Sequence, residues 1–282
     1  MATASASTGA PTVYALDFDG VVCDSEPESS ISGWTHARAL WPEIFVDDSE
    51  ATTRRVLDGL KRTRPVVETG FENTLLARCV YEEIPGYSVD EILASWGALM
   101  PPLMERWNLD RASMVSGYGA IRDDWMEADL AGWLAPNLIY PGIGEACNVA
   151  EASSACDVFI VTTKQARFAA AIMEEKARSA NLVVPETRLF SQCVSGIPKT
   201  AVLRELGDAA AEGARKVFVE DKMSTLEKVC ATEGLEDWEL FLVDWGYNTP
   251  EERARAEANP RITVWGLEDF VRDLEAAAAA KA

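Results

Sequence analysis

A single histidine, His36, stands in 282 residues, so no site built from two or three histidines can exist within one chain. The six cysteines (Cys23, Cys79, Cys147, Cys156, Cys193 and Cys230) form no C-x-x-C pair. That scatter speaks against a zinc ribbon or a thioredoxin-type dithiol and predicts reduced thiols. Positive charge is scarce as well: 26 Lys+Arg against 46 Asp+Glu give a formal net charge of −20. This balance excludes attraction to nucleic acid or an anionic membrane through bulk charge. No stretch reaches the roughly 18–20 apolar residues of a membrane-spanning helix. The opening MATASASTGAP has no charged side chain, no apolar signal region and no transit-peptide arginine. The expectation is a soluble protein, cytoplasmic, or in an organelle stroma if a longer precursor was trimmed.

What is present is a globular composition, 48% hydrophobic and 9% aromatic, in a chain long enough for one large domain or two modest ones. Thr12-Val-Tyr-Ala-Leu-Asp-Phe-Asp-Gly20 is an apolar run entering two aspartates and a glycine, the pattern of a buried strand that ends in a functional loop. Similar runs recur at 157–161, 216–219, 239–243 and 262–265, with helical patterns over 143–155, 165–180, 200–206, 224–232 and 267–280. Strands alternating with helices predict a mainly parallel, doubly wound, Rossmann-like sheet, with ligands beyond the carboxyl ends of its strands.

Residues 25–138 lack strand patterns and hold helical stretches at 51–67, 72–82, 89–100 and 122–134. Trp34, Trp41, Trp96, Trp107, Trp125 and Trp133 fall there, and core packing is the favoured reading over a ligand cage. The segment reads as a helical insertion joined through 23–28 and 136–142, which divides the chain into an α/β core (1–24 and 139–282) and a helical cap (25–138). The alanine-rich 276–282 is the one low-complexity stretch, a helix end by default.

Four polar stations follow this framework: Asp17-x-Asp19 after the first strand, Thr162 after DVFIV, Lys199 in SGIPKT, and Glu220-Asp221 after KVFV. A lone D-x-D is an unspecific signal; the ordered set is not. With VVCDSEP, PGIGEA and VDWGYNT, it resembles the haloacid dehalogenase superfamily of phosphohydrolases over residues 12–24 and about 139–270. A helical insertion directly after the first motif resembles that superfamily's C1-type cap, as in its phosphoglycolate-phosphatase-like and β-phosphoglucomutase-like members. RPVVETGFENTLLA (64–77) is more loosely similar to a cap region of plant and cyanobacterial members.

Phosphoryl transfer to a carboxylate brings one anion to another, so it needs neutralised charge and in-line positioning. The resemblance implies Asp17 as nucleophile and Asp19 as acid and base, with the Asp19 carbonyl also on a metal. It implies Thr162 and Lys199 as catalytic groups that bind the phosphoryl group. Mg²⁺ suits the oxygen ligands Asp17, Asp19 and Asp221. Many relatives carry Gly-Asp at the fourth station and another Asp four residues on, where this chain has Glu220-Asp221 and Thr225. Glu220 contacts the metal directly or through water, or turns away to cap the next helix.

An acid at Asp19, which dehalogenases of this fold lack, favours phosphoryl transfer over carbon–halogen cleavage. Lys61 is the only lysine of 25–138, and nothing singles it out as a Schiff base for phosphonate cleavage. ATTRRVLDGLKRTR (51–64) concentrates five cations in this acidic chain. Arg55 and Arg62, about two turns apart on one helix face, are substrate-binding candidates for a second anionic group, against an equally weighted reading as a solvated face. Cys23 is expected to pack rather than sense oxidation. The expected function is a Mg²⁺-dependent phosphatase for a small phosphorylated metabolite, with the active site in the cleft between core and cap. The alternatives are a phosphomutase or a non-catalytic protein on the same fold.

Overall fold

The computed structural model describes residues 11–180, 184–193 and 196–280. The N-terminal segment read above, Ser195 of the lysine-bearing loop and the last two residues of the alanine run lie outside them.

Strand β1 (Thr12–Leu16) is buried along its whole length. Five helices follow it: α1 (Glu26–Leu40), α2 (Glu50–Thr63), α3 (Glu72–Glu82), α4 (Val89–Arg106) and α5 (Arg111–Leu134). The alternating part then runs α6 (Ile143–Glu151), β2 (Cys156–Val161), α7 (Ala166–Ala180), β3 (Leu189–Phe190), α8 (Lys199–Ala209) and β4 (Lys216–Glu220). It continues through α9 (Met223–Cys230), β5 (Trp238–Val243), α10 (Pro250–Ala258), β6 (Ile262–Trp265) and α11 (Leu267–Ala279).

These six strands form one sheet in the order β3-β2-β1-β4-β5-β6, and every neighbouring pair is parallel. The order reverses at β1, which lies between β2 and β4, so the crevice at its carboxyl end is where such sheets bind ligands. Leu16, the last residue of β1, is in register with Ile160 and Val219, which sets Asp17 beside the ends of both neighbours. On one face of the sheet Ala15, Phe218 and Leu240 pack with Leu203, Leu206 and Leu226. Parallel strands covered by helices bury both faces, which is why they read as unbroken apolar runs.

Contacts divide the chain into two compact units, Met1–Asp24 with Ile139–Ala282, and Ser25–Leu138. The second unit has its own core: Trp34, Trp41, Trp96 and Trp133 are buried, and the Arg78 guanidinium lies 4.6 Å from the Trp41 ring centre and 4.4 Å from that of Trp107. Trp34, Trp41, Trp96, Trp107 and Trp133 are packing groups, while Trp125 is half-buried. Glu28, fully buried on α1, accepts two bonds from Arg122 on α5 (2.8 and 2.6 Å) and one from the Trp133 indole (3.0 Å). No described helix is long and apolar enough to cross a membrane.

Several boundaries differ from the sequence reading. The junction expected over 23–28 is helical from Glu26, with Pro27 in the first turn. α1 buries Glu28, Ser29, Ser30 and Ser32, so it has no apolar stripe to reveal it. α4 continues past the expected stop, through Pro101 and Pro102, and non-helical geometry at Ser95 divides it into two pieces. α5 starts at Arg111, capped by Asp110, eleven residues before the expected start. α10 had no counterpart in the reading, although Thr249 and Glu252 form a capping box at its start.

Candidate active site

Asp17 leaves β1 with its backbone N–H bonded to Val219 O of β4 (2.9 Å), and its Oδ1 accepts the N–H of Phe18 (2.7 Å). Lys199 opens α8, and its Nζ lies 2.9 Å from Asp17 Oδ2 and 2.7 Å from Glu220 Oε2. Glu220 ends β4 fully buried, and its Oε1 accepts the N–H groups of Asp221 and Lys222 (3.1 Å each). Both Glu220 oxygens are therefore committed, one to Lys199 and one to the turn that starts α9. Both N–H groups precede the first residue of α9, which has no side-chain cap.

Asp221 is fixed from the loop after β5. Tyr247 N–H donates to its Oδ2 (2.9 Å), while Asn248 Nδ2 donates to its carbonyl (3.0 Å) and to Val243 O (2.8 Å). Two glycines make room for it: Gly20 has φ +86°, and a Cβ there would collide with Asp221 Oδ2. A Cβ on Gly246 would meet Asp221 Cβ and lie 2.7 Å from Gly20 O. Tyr247, Asn248 and Gly246 come from VDWGYNT, a stretch whose sequence alone assigns no roles to its residues, because the contact joins positions far apart along the chain.

Oxygens of Asp17, Glu220 and Asp221 come within 4.8 Å of one another. Burial raises the Asp17 carboxyl above its usual range, Lys199 opposes this, and the charges of Asp221 and Asp19 add to it. Burial, then the Asp17 charge, raises Glu220 well above the ordinary carboxylate value. Burial alone would lower Lys199, but Asp17 and Glu220 raise it, so it stays an ammonium. Three carboxyl groups face one ammonium, and a bound divalent cation would stabilise their ionised forms. The donors are all hard oxygens, the set such a cation takes, and Asp17, Glu220 and Asp221 could each offer it one.

Thr162 follows β2, fully buried; its N–H donates to Phe190 O (2.8 Å) and its Oγ1 accepts the N–H of Lys164 (3.1 Å). The hydroxyl proton remains a donor for an anion at the strand end. Asp19 is held by a residue the sequence reading did not single out: Lys164 Nζ donates to Asp19 Oδ1 at 2.9 Å. Lys164 lies two positions beyond Thr162, on the same strand end, and that placement was the only available signal.

The arginine candidates belong to the helical unit. Arg55 donates to Val80 O (2.8 Å) and Tyr81 O (3.3 Å) and pairs with Glu83 (3.1 Å), so it closes the end of α3. Arg62 is exposed, and no ion pair holds it among the described residues. Both line an open cavity of about 750 Å³ in this unit, with Arg54, Asp58 and Glu83.

No protein-family model matches the chain, and no curated protein does. Solved structures match throughout its length. One described as a predicted phosphatase from Clostridium acetobutylicum aligns at 14% identity over 94% of this chain and 99% of that chain, with a TM-score of 0.56. A predicted phosphoglycolate phosphatase from Haemophilus somnus 129PT aligns at 12% identity over 93% and 97%, with a TM-score of 0.53. The chain thus shares the fold of these structures over nearly its whole length.

Proposed function

We propose that the chain is a Mg²⁺-dependent phosphatase acting on a small phosphorylated metabolite through an aspartyl-phosphate at Asp17. The observation that carries this reading is the buried Asp17–Lys199–Glu220–Asp221 cluster at the switch point of the sheet. An isolated nucleophilic carboxylate beside a phosphate dianion is repelled; here Lys199 is fixed on Asp17 and Glu220 fixes Lys199.

In the first step an Asp17 oxygen bonds to phosphorus as the ester P–O bond breaks. The electron pair of that bond stays on the leaving oxygen, which takes a proton from Asp19. In the second step Asp19 removes a proton from water as the water oxygen bonds to phosphorus. The electron pair of the acyl P–O bond returns to Asp17, and inorganic phosphate leaves. Lys199 and the Thr162 hydroxyl hold phosphoryl oxygens throughout. Asp17, Asp221 and the Asp19 carbonyl would hold Mg²⁺, which would supply charge neutralisation.

Residues 1–24 and 139–282 form the catalytic core in this reading, and 25–138 the cap that selects the substrate. Arg62 is the better candidate for a second anionic group, because Arg55 is engaged on α3. The names of the matching structures, predicted phosphatases, agree with this assignment.

The test is hydrolysis of p-nitrophenyl phosphate and a panel of phosphorylated metabolites, with and without Mg²⁺, by wild type and Asp17→Asn. Mg²⁺-dependent release of phosphate, lost in the variant, is expected. An isomerised sugar phosphate without phosphate release points to a mutase. Inertness across the panel points to a non-catalytic protein.

A further inference from the structure

Lys164 is an unusual lysine. Its side chain is 1% exposed, and its acidic partner among the described residues is Asp19, which is itself 18% exposed. Removing an ammonium from water costs several kcal/mol unless a partner restores the interaction. A lysine serving solubility would leave its head in solvent, as long cationic side chains do. Here the head is buried, 6.0 Å from the ring centre of Phe18, the residue that separates the two aspartates of the first motif in sequence. The backbone fixes it too: Lys164 N–H donates to Thr162 Oγ1 (3.1 Å), and its carbonyl accepts from Gln192 N–H (3.0 Å). The stem therefore starts from a braced turn at the end of β2, and the ammonium arrives on one oxygen of Asp19.

We propose that Lys164 is the positioning residue for Asp19, fixing the rotamer from which that carboxyl exchanges a proton with the leaving group. The proposal rests on the phosphatase reading. Proton transfer requires a carboxyl oxygen within hydrogen-bond reach of the ester oxygen, and a partly exposed aspartate has several rotamers to choose from. A buried ammonium on Oδ1 selects one. Lys199 and Lys164 thus divide the two aspartates between them, one lysine on the nucleophile and one on the proton carrier.

The leaving group separates positioning from mere support of the fold. A p-nitrophenolate departs without a proton, whereas an alkoxide needs one. Lys164→Met is expected to lower kcat/KM for the alkyl phosphate that wild type hydrolyses best at least about tenfold more than for p-nitrophenyl phosphate. Lys164→Arg is expected to recover part of the alkyl activity and guards against a Met variant that fails to fold. In an Asp19→Asn background Lys164→Met is expected to add little further loss, because the two residues act as one unit. A crystal structure of Lys164→Met is expected to show the Asp19 carboxylate displaced.

Equal losses on both esters, or an additive double variant, overturn the inference and leave the phosphatase reading standing. So does an unmoved Asp19 in the variant crystal. A wild type inert toward every phosphate ends the phosphatase reading and this inference with it.

Discussion

Lys199 Nζ lies 2.9 Å from Asp17 Oδ2, and each side chain is only 9% exposed. Burial penalises both charges at that depth, and their pairing opposes the penalty on each. Lys199→Met removes the cation from both Asp17 and Glu220. Loss of kcat/KM toward p-nitrophenyl phosphate on the order of a hundredfold is expected, as for removal of a fixed charge at a developing phosphoryl dianion. Steady-state kinetics check it, with circular dichroism to confirm folding.

Asp221 and Glu220 are adjacent acids with different duties. The proposed function makes Asp221 a Mg²⁺ ligand, so Asp221→Asn is expected to raise the Mg²⁺ concentration for half-maximal activity about tenfold or more. Glu220→Gln is expected to shift it less and to lower kcat instead, because Glu220 holds Lys199 and backbone N–H groups. A Mg²⁺ titration of each variant decides this, and a larger shift for Glu220→Gln makes Glu220 the ligand.

Gly246 is enclosed by Asp221 and the Gly20 carbonyl. Gly246→Ala forces one of them to move, at a cost of about 1–3 kcal/mol for overpacking. A lowered Tm together with weakened Mg²⁺ activation is expected. A lowered Tm with unchanged Mg²⁺ response means that the loop accommodates the methyl group away from Asp221.

His36 is buried on α1, its Nδ1 2.9 Å from Thr74 Oγ1 and its Nε2 close to Gly117. Burial lowers its pKa below the ordinary 6.5. The unfolded chain therefore binds a proton near pH 6.5 that the folded chain refuses, so this group's contribution falls as pH drops through 6.5 toward the folded value. Denaturant unfolding of wild type and His36→Gln between neutral and mildly acidic pH is expected to show a shallower loss in the variant. Equal slopes mean that the imidazole titrates alike in both states.

The core was legible because its strands are buried on both faces. The 216–219 run, for example, falls within Lys216–Glu220, whose last four residues are buried. The alternation of strands with helices also brought Asp17, Thr162, Lys199 and the Glu220–Asp221 pair to neighbouring element ends, since a parallel sheet carries all its carboxyl ends to one edge. What stayed hidden depended on contacts distant in sequence. The Lys164–Asp19 pair spans 145 positions, and nothing local to VTTK marks its lysine as buried. α1 was hidden for another reason: its inward face is largely polar, satisfied by Arg122 and Trp133 from the far end of the unit, and polar faces leave no periodic signature.

The central claim is a covalent phosphoryl group on Asp17. Acid-quenching the Mg²⁺-loaded enzyme during turnover, then reducing it with borohydride, converts an aspartyl-phosphate to homoserine, which peptide mass spectrometry locates. The account predicts homoserine at position 17 in wild type, enriched in Asp19→Asn, where the second step lacks its base. Active turnover with aspartate intact at position 17, or with homoserine at another acid, contradicts it.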